Sequence, residues 1–386
     1  MKRRDFMIST AALAGGTVLL PRLAFAEAGR IDWYTSSDQN ILDFWTNVVK
    51  PKFEAANPGI TLNLVDGGGA TELQALADRT FAALGTDKDP QTDFFEGYDT
   101  RVPVGALEKG LWVDFAKETL SNYSKINPLA FEIDPLTSNL PYRGSQVLLA
   151  YDTTKLPAAD VPKTWADLVT WIKANPGQFI YNRPNKGGSG GNFVRRAIYA
   201  VNGDDPSKFT IDGYTEAQAD EMLAPAWDVL NDLAPSMFDK GAYTSGNTQS
   251  IQMLAQSAVT MVPAWSDQAI QAISQGVLPE TTGLVQLSDL GFPGNFTRVA
   301  VPTNAANKDA SIKLADFILS EEVQSAVLTE LGGFPGVSWD NLPAELHEKY
   351  KDVIPASIPV FPAGPWDKKI NDAWYRNVAP NTDPNA

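Results

Sequence analysis

A chain of 386 residues without a cysteine has no disulfide framework and no thiol chemistry, so a large apolar core has to hold it together. A formal charge of −15 repels phosphate backbones and anionic lipid, which sets nucleic acid and membrane surfaces aside as partners. The length suits two domains.

The chain opens with a charged stretch, Met1-Lys2-Arg3-Arg4-Asp5-Phe6-Met7. An apolar, small-residue run from Ile8 to Leu20 follows, and then Ala24-Phe25-Ala26. This order is that of a cleaved export signal, with cleavage expected after Ala26. The apolar run is about a dozen residues, against the roughly 20 that span a bilayer as a helix. Arg3-Arg4 with Phe6 has the form of a twin-arginine signal; a general secretory signal is the other reading. Residues 1–26 are therefore expected to be absent from the folded protein.

Arg30 to Thr35 reads as a strand. Ser36, Ser37 and Asp38 follow as cap residues before an amphipathic helix from Ile41 to Phe53. Asn57-Pro58-Gly59 is a turn, Ile60 to Val65 a strand, and Thr71 to Leu84 a helix. Thr92 to Glu96 is a third strand ending at Gly97-Tyr98. Alternating strands and helices imply a parallel sheet with crossover helices. Ligands of such sheets sit beyond the carboxyl ends of the strands. Those edge loops are 35–38, 66–70 and 97–99. A second unit starts near Tyr142, with a strand from Gln146 to Tyr151 and a helix capped by Thr164. A strand from Phe179 to Arg183 comes next, then the glycine-rich loop Asn185 to Asn192 and a helix from Phe193 to Val201. Later come a strand from Ala258 to Val262, leading into Pro263-Ala264-Trp265-Ser266-Asp267, a strand from Arg298 to Pro302, and a helix from Ala305 to Leu319.

In order and spacing these segments resemble the extracellular solute-binding proteins of ABC importers. The matching pieces are the first strand with its serine pair, Asn57-Pro58-Gly59-Ile60, and Leu148-Leu149-Ala150-Tyr151-Asp152. They continue with Pro162-Lys163-Thr164-Trp165-Ala166-Asp167-Leu168, Ala258 to Trp265, Val301 to Ala305, and Ala315 to Gln324. The chain is most similar to the subset that takes up polyamines, thiamine, iron and organophosphates, and in particular to thiamine-type members. The resemblance implies a two-lobed periplasmic binding protein fold of type II. Two discontinuous α/β lobes would be joined by hinge strands, and the solute trapped by hinge closure. The first lobe is expected at 27–142 plus 284–330, the second at 143–283 plus 331–386. It also implies a soluble periplasmic monomer that delivers a small solute to a permease and ATPase, without a cofactor.

Candidate ligand contacts come from the loops. Ser189, Gly190 and Asn192 stand at a predicted helix start, where backbone N–H groups favour an anion. The alternative there is a plain flexible loop. Ser36 and Ser37 occupy the equivalent place in the first lobe, as caps or as ligand donors. Asn182 and Arg183 end a strand, and Arg183 could grip a carboxylate or phosphate or form a surface ion pair. Trp265 matches a ligand-contacting position of the family. It can stack on a ring or hold a cation, with Asp267 as counter-charge and Tyr98 in a similar role. These sets point to opposite ligand charges; thiamine or its phosphate esters would satisfy both. Trp33, Trp45 and Trp171 read as core. No adjacent tyrosine pair favours ferric iron, and no metal site is expected.

Catalysis fares poorly. The single histidine, His347, stands in the polar stretch 345–349, so a serine–histidine–aspartate triad or a histidine-rich metal site has no material. A secreted carbohydrate hydrolase using paired carboxylates is the alternative reading.

Overall fold

The computed structural model describes residues 29–384 except 36, 38, 68–69, 352 and 354–356. The predicted export signal and Ser36 lie outside the described residues.

Strand β1, Arg30–Thr35, alternates as its sequence does: Ile31, Trp33 and Thr35 are buried. Strands β2, Thr61–Asp66, and β3, Phe94–Glu96, flank it and run parallel to it. Parallel neighbours need crossovers. The first is a helical run made of Gln39–Phe44, the π-turn Trp45–Val49 and Lys50–Ala56; the second is the helix Ala70–Ala83. Trp33 and Trp45 stack in the core with ring centroids 4.8 Å apart.

The remaining strands are β4 (Leu140–Tyr151), β5 (Met261–Trp265), β6 (Gly283–Val285), β7 (Gly294–Ala300) and β8 (Phe334–Pro335). The sheet order is β2-β1-β3-β7-β4-β5, with β6 and β8 also on β4. Strand β4 is 12 residues long and changes partners along its length. Its residues 140–146 pair antiparallel with β7, and residues 147–151 pair with β5. The chain thus forms two α/β lobes that share one crossing strand.

Side-chain alternation gives each half of the sheet a core on both faces. Phe94 enters one first-half core with Trp33, Trp45 and Val299; Phe95 enters the other with Tyr98, Trp112 and Ala300. In the second half Val147, Leu149 and Tyr151 face one core, and Leu148 and Ala150 face the other. Val285, Leu287 and Phe292 pack in the second half, whereas Val337 and Leu342 pack in the first. Gln146 sits at the point where β4 switches partners. Its buried side-chain amide donates to the carbonyls of Phe292 (2.7 Å) and Ser357 (3.2 Å). One side chain therefore fastens three passing segments together.

The helix Trp165–Ala174 starts on a complete capping box. Thr164 Oγ1 accepts from the Asp167 N–H, and the Asp167 carboxylate accepts from the Thr164 N–H. Thr164→Ala is expected to cost about 1 kcal/mol. Urea unfolding checks this as a lowered midpoint at unchanged slope; an unmoved midpoint would mean the box contributes nothing.

Two segments differ from expectation. Residues 179–183 form no ladder strand and make only isolated bridges, from Phe179 to Met261 and from Asn182 to Thr244. The glycine-rich segment is not a loop throughout, because the helix Gly188–Val201 begins five residues before Phe193, among the glycines. Close packing on the 182–184 backbone allows this and leaves the segment buried.

Candidate functional site

A cleft of about 520 Å³ opens where β4 changes partners. Its floor is set by strand register. Arg143 pairs with Thr297 and Ser145 with Asn295 across β4 and β7. Alternate residues share a face, so these four side chains point into the cleft together. Gly144 pairs with Phe296 between them, and Phe296 turns the other way into the first core. The far wall is Trp265 at the end of β5, then Asp267 and Gln268 in the first turn of the helix Ser266–Ser274, with Gly187, Gly188 and Asn247 beside them.

Arg143 is held from below. Glu96, fully buried at the end of β3, accepts from Thr35 Oγ1, Ser37 Oγ (2.6 Å), the Tyr142 hydroxyl (2.7 Å) and Arg143 Nη2 (3.1 Å). Arg143 Nε donates to the Tyr142 oxygen at 2.8 Å. Burial pushes the Tyr142 phenol up, so it stays protonated and donates to Glu96. Burial also opposes the Arg143 charge. The carboxylates of Glu96 and Asp267 outweigh it and hold the guanidinium charged. Arg143 Nη1 has no acceptor among the described residues, and the side chain lines the cleft.

Asp267 faces Arg143 from the other lobe. Its Oδ1 accepts from Ser145 Oγ at 2.7 Å. Burial raises its carboxyl above the ordinary aspartate value, against the pull of Ser145, Arg143 and the helix N–H groups. Trp265 is half-buried and lies edge-on to Gly188, where a Cβ would overlap the indole. Gln268 Oε1 is buried and has no donor among the described residues.

The predicted contacts divide into two groups. Trp265 and Asp267 line the cleft, and Ser37 stands behind it on Glu96 and Arg143. Asn182 does not reach it: it is fully buried, with Oδ1 accepting from Ser189 Oγ and the Gly190 N–H, and Nδ2 donating to the carbonyls of Arg183 and Gly187. Ser189 and Asn192 are also fully buried, the latter between Pro293 and Arg195. Gly190 is a packing glycine, since a Cβ there would fall on the Asn182 carbonyl oxygen. The anion site expected at this helix start is already filled. The Ser189 N–H donates to Asn247 Oδ1 (3.2 Å) and the Gly190 N–H to Asn182 Oδ1 (2.7 Å). Arg183 points away, its Nη1 donating to the Asp383 carbonyl at 3.2 Å. Tyr98 lines a separate cavity of about 430 Å³ that meets the cleft at Asn295 and Thr297. Its ring packs on Phe95 and Trp112, and burial pushes its phenol up.

Sequence reading missed Arg143, Ser145, Asn247, Gln268, Asn295 and Thr297. The strand pairs did carry a signal, because polar residues alternate with Gly144 and Phe296. Among the described residues that line the cleft, Asp267 is the only carboxylate, so the paired acids of a glycoside hydrolase are not assembled there.

Comparison with known proteins agrees with the two-lobed fold. Protein YnjB of Escherichia coli (strain K12) is 26% identical over 318 residues, which is 77% of this chain and 78% of that protein. An extracellular solute-binding protein from Bordetella parapertussis superposes with a TM-score of 0.66 at 16% identity, covering 91% of this chain and 99% of that one. A family 1 extracellular solute-binding protein from Bifidobacterium longum subsp. infantis gives 0.62 at 17% identity, covering 92% and 96%. These structures share the two-lobed α/β fold. Residues 49–350 match the family described as bacterial extracellular solute-binding protein, and the chain belongs to that family.

Proposed function

We propose that this protein is the periplasmic binding component of an ABC importer. It traps a small polar solute in the cleft over β4 and β7 by hinge closure and delivers it, as a monomer, to a permease and its ATPase. The partner switch of β4 at Gln146 carries the reading, because it puts a single crossing strand under a polar cleft walled by both halves of the sheet. The core clusters support a first lobe built from 29–142 with 296–342, and a second from 147–292 with 366–379. Thiamine is the first candidate solute: its ring suits Trp265, its positive charge suits Asp267, and its amine suits Gln268. Export by the twin-arginine route is the matching proposal for residues 1–26.

A thermal-shift screen of the mature protein against thiamine, its phosphates, polyamines, sugar phosphates and oligosaccharides tests the importer reading. One solute at about 100 times its Kd is expected to add about 2.7 kcal/mol, several degrees in Tm, and to be recovered unchanged. Trp265→Ala is expected to weaken that solute at least about tenfold, the loss of one aromatic contact at a pocket wall. Turnover of the solute, or a hit indifferent to Trp265→Ala, would overturn the assignment.

A further inference from the structure

We propose that the cleft selects a monocationic organic solute that also carries N–H donors, held by Asp267, Gln268 and the face of Trp265. The inference rests on the importer reading and resolves the charge of its ligand.

Counting charges around the cleft gives the sign. Arg143 and Asp267 are the charged side chains among the described residues that line it. Arg143 already has a counter-ion, since Glu96 lies 3.1 Å from its Nη2 on the buried side. Asp267 has none within ion-pair distance among the described residues, and its side-chain partner is the neutral Ser145 hydroxyl. The three ionised groups therefore sum to one uncompensated negative charge, and it sits on the cleft surface. A carboxylate in the first turn of a helix and near a guanidinium would ordinarily be stabilised. Here burial outweighs both and lifts its pKa. The carboxylate thus has an unmet demand for a cation.

Two neighbours define the kind of cation. Gln268 Oε1, next along the same helical turn, is a buried acceptor without a donor among the described residues. A buried acceptor left unmet is costly, so the solute is expected to bring an N–H to it. The indole of Trp265 adds a face that attracts positive charge. Of the anion readers that would argue the other way, Arg183 is turned to the C-terminal segment and Asn182 and Asn247 cap the helix start, while Arg143 keeps an Nη1 free among the described residues but has its charge met by Glu96.

The test uses calorimetry on the mature protein with six probes: thiamine, thiamine monophosphate, n-butylguanidine, choline, glycerol 3-phosphate and maltose. Binding is expected from thiamine and n-butylguanidine, monocations that carry N–H donors on the aminopyrimidine and the guanidinium respectively, over choline, which carries no N–H. Asp267→Asn is expected to weaken the best of them by roughly 30-fold or more, as loss of one partner of a desolvated charge pair does. It is also expected to raise the Tm of the unliganded protein, which a merely structural aspartate would not do. The sign follows from linkage. A carboxyl whose pKa is raised by folding makes the ionised folded state less stable as pH climbs from the ordinary carboxylate range through the raised value, and asparagine removes that penalty.

Cation affinity should fall as pH drops through the raised pKa, and Asp267→Asn should abolish that slope. The charged groups facing Asp267 are Arg143 from β4 and Glu96 behind it. A panel in which no cation binds overturns the proposal. So does binding of glycerol 3-phosphate or maltose that Asp267→Asn leaves untouched. In that second outcome a solute is still captured, so the importer reading survives while the charge assignment falls.

Discussion

Glu96→Ala is expected to destabilise the protein by about 3–5 kcal/mol, the cost of removing one partner from a buried ion pair. The carboxylate is fully buried and serves four donors from two parts of the sheet: Thr35 and Ser37 at and just beyond the end of β1, and Tyr142 and Arg143 on β4. Alanine leaves the Arg143 guanidinium buried without a counter-ion and three hydroxyl groups without their acceptor. Hydroxyl groups can re-aim toward water or a carbonyl; a guanidinium cannot lose its proton at neutral pH. The charge term is therefore the dominant one. Glu96→Gln keeps an acceptor but not the charge, so it should fall between parent and alanine. A double variant, Glu96→Leu with Arg143→Met, removes both charges and should regain much of the loss. Urea unfolding of the four proteins gives the series. A Glu96→Ala midpoint within error of the parent would show that Arg143 finds another anion.

Gly190→Ala is expected to cost about 3 kcal/mol, at the upper end of overpacking penalties. The added carbon would meet the backbone carbonyl of Asn182, so no side-chain rotation can relieve the contact. The helix Gly188–Val201 would have to lift from the 182–184 segment. That movement breaks the bonds from Ser189 and Gly190 to Asn182 and shifts Gly188 against Trp265. Solute affinity should drop along with stability. Gly364 is the control: it opens the helix Gly364–Asn377 with nothing within 4 Å of a Cβ. Gly364→Ala should be neutral or stabilising by up to about 1 kcal/mol, through helix propensity. Equal effects at the two positions would mean that the Asn182 contact is not what constrains Gly190.

Local patterns made the lobes legible and left much of the cleft hidden. The strand–helix–strand order of 30–96 needs only nearest neighbours in sequence, and it appears with its boundaries shifted by two residues or fewer for most elements. Trp265 and Asp267 were legible because they stand at the end of an apolar strand and in the helical turn just after it. Arg143 and Ser145 were not, because their meaning depends on register against Asn295 and Thr297, about 150 residues away. The glycine-rich stretch misled for a physical reason. Glycine serves the approach of a ligand and the approach of another backbone equally well, and here Gly190 meets the backbone of Asn182.

The switch of β4 between two sets of partners also sets a timetable for the chain's birth. Phe95 pairs with Ala300, and the Gly29 N–H donates to the Asn307 side chain. Strand β3 therefore emerges from the ribosome long before its partner exists. At ordinary synthesis rates the interval is roughly 10–40 s. The second core waits longer still, because Trp366 and Trp374 close it from near the C-terminus. Throughout that time the apolar face of β1 and β3 has no finished surface to hide against, and such faces are where aggregation starts. Completion of both cores is thus a late event, dominated by contacts distant in sequence. Holdase protection of the nascent chain would therefore raise the yield of this protein.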